Sequence, residues 1–270
     1  MERAILSNIQ VSEYIHPMEK KVRIDEGSLI GKGIDALSDL NLAFVKRITL
    51  GCNVEATLDN FPRLIFILKD VCKILGYPYV PRVFITHAAS QSFYAFGANK
   101  AQIILSDYIA DQFTEDMFYF SFGNLISMIK AGHIRLATIC SMMMATPQTE
   151  LLKLPLQAMM RAADLTSDRG GLLAAQNFAA AAQCILWEAG VPISEMAEKN
   201  EQEMIQLSQE YVRASEWMSE EWLTGVAKGW KKLNMQIMPP AYRMRELLSW
   251  YKDGNYLELL KQTQEKRYIK

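Results

Sequence analysis

Two short segments, Pro81-Arg-Val-Phe-Ile-Thr-His87 and Ala101-Gln-Ile-Ile-Leu-Ser106, carry the clearest strand signal in this chain. Both are rich in β-branched and aromatic residues, which favour extended backbone, and Gly97-Ala-Asn-Lys100 between them is a turn-like sequence. We therefore expect two strands joined through residues 97–100, in a small β-sheet around residues 80–106.

Helical patterns surround this sheet. Apolar residues recur every three or four positions over residues 60–75, with Asn60 as the expected N-cap. Thr114, followed by two acids, opens a second helix that can run to about His133. From Pro155 onward the pattern is helical almost throughout, over about residues 155–189, 194–217, 219–233, 240–251 and 256–266. The sequence therefore predicts a mostly helical α+β protein.

The charge balance excludes several classes of protein. The chain has 270 residues, with 29 Lys and Arg against 30 Asp and Glu. This balance gives no cationic surface for phosphates, so we expect neither a nucleic-acid binder nor a protein held on anionic membranes. The 4 cysteines lie far apart without a C-x-x-C pair, which favours a reduced, cytoplasmic setting. No run of about 18 uncharged apolar residues is present, so no membrane span is expected.

Side chains that could ligate a metal are few. The three histidines are His16, His87 and His133, and no two of them stand at metal-ligand spacing. His133 follows Gly132 at the expected end of a helix, where an imidazole can interact with the last carbonyl groups. We therefore interpret His133 as structural.

Two acids, Asp164 and Asp168, stand four residues apart in a helical stretch that is otherwise rich in Ala, Leu and Met. At this spacing both carboxylates project from one face of the helix. They could line a pocket as buried groups, or Asp168 could form an ion pair with Arg161, Arg169 or another cation. The residues alone favour neither interpretation.

Several segments, in this order, resemble the HtpX-like and CaaX-prenyl-protease-like zinc metallopeptidases, and most closely their soluble bacterial branch. The resembling segments are Pro81 to His87, Ser92-Phe-Tyr-Ala-Phe-Gly97, Gln102-Ile-Ile-Leu-Ser106, Ile129-Lys-Ala-Gly-His133, Asp164-Leu-Thr-Ser-Asp168-Arg-Gly-Gly-Leu-Leu-Ala-Ala-Gln176, and Pro239-Pro240 with Arg243. The resemblance covers roughly residues 60–253. It implies a zincin-like metallopeptidase fold.

The family's H-E-x-x-H motif is degenerate in this chain. When the helix is aligned on Ile129 to His133, the first zinc histidine falls on Asn124, the general-base glutamate on Leu125 and the second zinc histidine on Met128. Asn is a poor zinc ligand, a thioether is softer than zinc prefers, and Leu cannot accept a proton. We therefore expect no bound zinc and no zinc-dependent catalysis.

The other family positions are partly kept. The third zinc ligand, a glutamate in the family, falls on Asp164, and the histidine of the family's T-H-P-P segment falls on Met238. His133, Asp168 and Arg243 are expected beside the former metal pocket, where they would support it.

The resemblance then implies a catalytically inactive peptidase homologue, a pseudo-peptidase, that acts as a peptide- or protein-binding scaffold. An extended peptide would pair with a sheet edge, contacting Gln91, Ser92, Phe93, Tyr94 and Phe96. The chain would divide into an N-terminal arm with helices (1–59), the degenerate metallopeptidase domain (60–253) and a C-terminal helix (254–270), in one compact unit.

Two alternatives stay open. One is an enzyme, either a hydrolase that binds a metal through His133, Asp164 and Asp168, or one whose pocket uses the two acids without a metal. The other is a purely structural subunit of a larger assembly, with the cleft filled by its own side chains.

Overall fold

The structure is a computed structural model, and it describes residues 3–6, 8–22, 51–87, 93–97, 101–134, 137, 150–215 and 238–268. The helix expected over residues 219–233 and the expected peptide contacts Gln91 and Ser92 lie outside these ranges. Within them, no helix is both long enough and apolar enough to cross a membrane.

The described elements form a mostly helical α+β protein, as the sequence predicts. In chain order they are α1 (Val11–Tyr14), α2 (Pro17–Val22), β1 (Val54–Ala56), α3 (Pro62–Ile74), β2 (Arg82–Thr86), β3 (Phe93–Phe96), β4 (Gln102–Ser106), α4 (Asp107–Gln112), α5 (Glu115–Lys130), α6 (Glu150–Ala175), α7 (Phe178–Glu188), a 3₁₀ turn (Ile193–Glu195), α8 (Glu201–Ala214), α9 (Pro240–Lys252) and α10 (Asn255–Tyr268).

The strands in the described ranges form one four-stranded sheet in the order β1-β2-β4-β3. β2 and β4 run parallel at its centre, and the outer strands are antiparallel to their neighbours. The prediction of two strands joined directly through residues 97–100 is therefore wrong. Parallel neighbours need a longer crossover, and here the chain forms the edge strand β3 on the way. β1 was not predicted, because three residues are too few to show an alternating pattern.

The two faces of the sheet have different packing. Val83, Ile85, Ile103 and Leu105 point toward the helices and join the main core. The alternate residues Phe84, Phe96 and Ile104 form a separate buried cluster on the other face. This alternation follows from the two-residue period of a strand.

Local capping explains most helix boundaries. The hydroxyl of Thr114 accepts the N–H of Met117, so the predicted start of α5 is confirmed. Asn60 is not an N-cap, because its side-chain oxygen accepts the N–H of Thr57 at 2.6 Å and holds the preceding turn. The helix α3 instead begins at Pro62, whose fixed φ suits the first turn.

The helix expected over residues 155–189 is two helices, which corrects that prediction. Gln176 adopts a left-handed φ of 50°, and the side chain of Asn177 caps α7 by accepting the N–H of Ala180. The Gln176 amide also exchanges two hydrogen bonds with the backbone of Ala4, at 2.8 and 2.6 Å. Ala4, which is 172 residues from Gln176 along the chain, therefore stabilises the break between α6 and α7.

Helices α5 and α6 pack at very short range. A Cβ on Gly123 would collide with Ala174, and a Cβ on Gly170 would collide with Ser127. The two glycines let the helix backbones approach closely enough for polar side chains of α5 and α6 to meet.

Candidate functional site

The centre of the candidate site is a buried ion pair between α6 and α9. Arg243 donates from Nε to Oδ2 of Asp168 at 2.8 Å and from Nη2 to Oδ1 at 2.7 Å. Both side chains are buried. The sequence left open whether Asp168 lines a pocket or forms an ion pair. It forms the ion pair, with Arg243 rather than with Arg161 or Arg169, in the strong bidentate geometry of a guanidinium and a carboxylate.

Two further side chains complete this network. Asn124 on α5 donates from Nδ2 to Oδ1 of Asp168 at 2.9 Å. Glu188, the last residue of α7, forms an ion pair with Nη1 of Arg243. Four helices are therefore joined through one guanidinium and the carboxylates around it.

Burial and the charges inside this network together shift its pKa values. Burial raises the pKa of Glu188, although the Arg243 charge works against it. Burial also works to lower the pKa of the Arg243 guanidinium, but the surrounding carboxylates, foremost that of Asp168, raise it well above its usual range. Arg243 therefore stays charged at any ordinary pH.

Asp164 lies one turn before Asp168 and is held differently. Its Oδ2 accepts the backbone N–H of Met238 at 2.8 Å, which ties α6 to the segment entering α9. Burial, followed in smaller measure by the neighbouring carboxylates, raises the pKa of Asp164 to about 7, although Arg243 and the Met238 N–H oppose this. A carboxyl with this pKa changes its protonation state near neutral pH.

The structure thus brings together five of the positions that the resemblance identifies: Asn124, Asp164, Asp168, Met238 and Arg243. Met238 is buried against Leu165 and Tyr242. Leu125 and Met128, the other two degenerate positions, belong to the main hydrophobic core.

These side chains do not fit a catalytic zinc ion. Asn124 directs its amide N–H at Asp168, and Asp164 already accepts a backbone N–H. Met128 is packed among apolar residues. A catalytic zinc site needs three donor side chains around an open position, which this arrangement does not offer.

His133 lies in a different polar cluster from the one the sequence predicts. Its Nε2 is 2.7 Å from Oε1 of Glu19 on α2, and Thr166 on α6 donates to the other oxygen of Glu19. His133, Asp164 and Asp168 therefore do not form the alternative metal site. Over the described ranges, no three His, Cys, Asp or Glu residues are placed to hold a metal ion.

The expected peptide contacts on β3 differ in their availability. Tyr94 is 50% exposed. Phe96 is buried with Phe84 and Ile104, and the Phe93 ring packs edge-on against Phe122 at 5.3 Å. Tyr94 is therefore the one residue of the three whose ring is largely free for a partner.

Sequence reasoning missed Glu188, Glu19, Thr166 and His16 as members of these polar clusters. Glu188 offered no signal, because its partner Arg243 is 55 residues further along the chain. Glu19 offered a weak signal, since Pro17 together with an acid in the same first turn is typical of a helix start.

Comparison of the chain with models of known protein families, with curated proteins and with solved structures finds no match. The metallopeptidase resemblance therefore rests on its motif residues alone and stays a prediction.

Proposed function

We propose that this chain is a cytoplasmic peptide- or protein-binding scaffold with a zincin-like fold, in which the catalytic groups of a metallopeptidase have been replaced. The observation that carries the proposal is the position of β3. It lies at the edge of the sheet, pairs with β4 alone among the described strands, and exposes Tyr94.

An edge strand offers backbone N–H and C=O groups to an added strand. A peptide beside β3 would gain main-chain hydrogen bonds from this edge. Its side chains on one face would meet the exposed ring of Tyr94, which is 6.4 Å from the Phe96 ring. An aromatic ring of this kind suits an apolar, aromatic or cationic peptide side chain.

The former catalytic positions support binding rather than hydrolysis. Leu125 stands where the family has its general base, and it is buried in the core. Both carboxylate oxygens of Asp168 already accept hydrogen bonds from Arg243 and Asn124, so neither is available to orient a water molecule. The network therefore serves to join α5, α6, α7 and α9.

A second candidate function is metal-free acid–base catalysis by Asp164. One observation favours it, since burial raises the pKa of this carboxyl to about 7, the range that suits a general acid or base. If peptide hydrolysis is measured in the purified protein and is abolished by Asp164→Asn, this candidate replaces the scaffold.

The test selects ligands from a phage-displayed library of short random peptides and measures the affinity of the selected peptide by fluorescence anisotropy. We expect Tyr94→Ala to weaken binding by roughly tenfold or more, as loss of an aromatic contact residue does at hot spots. Tyr79→Ala is the matched control, because Tyr79 is 72% exposed and precedes β2 rather than lying on β3. Selection of no peptide, or equal losses in both variants, would contradict the proposal. A stable co-purifying protein without peptide binding would instead indicate a structural subunit.

A further inference from the structure

The short helix α2 lies against the Asp164 side of the site. Met18 packs on the buried cluster formed by Leu165, Met238 and Tyr242. The N–H of Met238 is the group that Asp164 accepts. α2 therefore forms part of the wall that keeps this hydrogen bond away from water.

A chain of buried hydrogen bonds holds α2 in place. Thr166 is its junction, because its hydroxyl accepts the N–H of His16 at 3.0 Å and donates to Glu19. Glu19 in turn contacts His133, and His16 contacts Glu246 of α9 through Nε2 at 3.1 Å. His16, Glu19, His133 and Thr166 are all less than 7% exposed.

Tyr14, just before α2, is held by contacts that do not belong to this hydrogen-bond network. Tyr14 is buried, and its hydroxyl accepts a hydrogen bond from Ser127 at 3.0 Å. Ile15 has φ −54° and ψ 133°, so the backbone turns out of α1 before α2 begins. A hinge at Ile15 and His16 would let α2 move while Tyr14 stays in the core.

α2 is held mainly by buried polar contacts, whereas a core helix is held mainly by apolar packing. Six residues are too few to form a stable helix alone, so α2 depends on its contacts. These contacts are largely hydrogen bonds between buried polar groups. Removing one partner leaves the other groups unsatisfied, so we expect the hydrogen bonds of this network to form and break together. Buried polar networks are best attested where they set one of two arrangements.

We propose that α2 is a displaceable cover over the Asp164–Met238 side of the site, held closed through Thr166 and Glu19 and opened about a hinge at Ile15 and His16. The inference goes beyond the proposed function, because it concerns the Asp164–Met238 side of the candidate site rather than the edge of β3. Displacement of α2 would control access to Met238 and Asp164.

The test is hydrogen exchange measured by mass spectrometry on the full chain, with methionine oxidation by peroxide as a second readout. Thr166→Val keeps the shape of the side chain and removes both hydrogen bonds of its hydroxyl. We expect at least about tenfold faster exchange in residues 17–22 and at the Met238 amide, and faster oxidation of Met238. Amides of β2 and β4 should exchange as in the wild type. Glu19→Gln should act in the same direction.

The matched control is Ser208→Ala, which removes another fully buried hydroxyl, on α8. It should leave exchange in residues 17–22 unchanged. The proposal is overturned if residues 17–22 open while the Met238 amide stays protected, if exchange rises across β2 and β4 as well, or if neither region changes. Failure of peptides to bind β3 would leave these readouts untouched, so the two proposals fail separately.

Discussion

Arg243 holds Asp168 with two parallel hydrogen bonds, of 2.8 and 2.7 Å, in a place where both side chains are buried. A buried ion pair contributes little over a well-packed apolar pair, but breaking one leaves an uncompensated charge. The pair therefore links α6 to α9, and removal of either side chain should destabilise the protein.

Arg243→Met should lower the free energy of unfolding by about 3–5 kcal/mol, because it leaves the Asp168 carboxylate buried without its cation. Urea unfolding followed by circular dichroism measures this. Arg82→Met is the control, since Arg82 forms a similar pair with Glu55 at the surface. That exposed pair should contribute about 1 kcal/mol or less. Equal losses of unfolding free energy in the two variants would show that the buried pair does not link α6 to α9 in this way.

Asp164 should make stability depend on pH in the opposite sense to most carboxylates. Its pKa is raised from 3.8 to about 7, chiefly by burial. Between these values the folded state keeps a proton that the unfolded chain has lost. The contribution of Asp164 to the free energy of unfolding is therefore fully present below about pH 4, and it is lost as pH rises toward about 7.

Asp164→Asn cannot ionise, yet its amide oxygen can still accept the N–H of Met238. Relative to the wild type, its free energy of unfolding should rise between about pH 5 and about pH 8 by on the order of a few kcal/mol. Urea unfolding at both pH values measures the difference. The exposed Asp111 provides the control substitution Asp111→Asn. An Asp164→Asn curve parallel to that of the wild type would contradict the assignment.

The cysteines should differ widely in reactivity. Cys52 is exposed, whereas Cys72 and Cys184 are buried. Burial raises the pKa of Cys72 to about 12, and it raises the pKa of Cys184 as well. Since the thiolate is the reactive form, Cys52 should react with a disulfide reagent roughly a thousandfold faster than either buried thiol. A Cys140→Ala background isolates the three thiols. Loss of the fast phase in Cys52→Ser would confirm the assignment, and its persistence would refute it.

Sequence patterns predicted the elements whose signals are local. The start of α5 follows from Thr114 and the two acids behind it, and the start of α9 from Pro240 at its first turn. The elements that were missed depend on distant residues. The break at Gln176 is held by Ala4, and β1 exists through its pairing with β2. No window of sequence around those residues contains their partners.

The candidate site shows the same division. The spacing of Asp164 and Asp168 placed both on one helix face, but it could not identify Arg243, which is 75 residues from Asp168. Only the family resemblance linked those positions. His133 was assigned to the pocket on that resemblance and instead contacts Glu19, 114 residues away. Side-chain partners over such separations are set by packing, which a local pattern does not encode.

The close packing of α5 on α6 gives the last prediction. Gly170 faces Ser127 so closely that an added Cβ would collide with that side chain, and Gly170 is buried beside Tyr14. Gly170→Ala should therefore lower the free energy of unfolding by about 1–3 kcal/mol, because the helices must separate to accept the methyl group.

Gly51→Ala is the control for this substitution. Gly51 begins the described segment before β1, is exposed, and has no atom within 4 Å of an added Cβ. At such a position the exchange of Gly for Ala is expected to be neutral or to stabilise by about 0.4–1 kcal/mol, through the unfolded chain. Thermal and urea unfolding of both variants measure the contrast. If Gly170→Ala is as well tolerated as Gly51→Ala, the short approach between α5 and α6 does not hold in solution. The hydrogen bond from Asn124 to Asp168, which depends on that short approach, would then be in doubt as well.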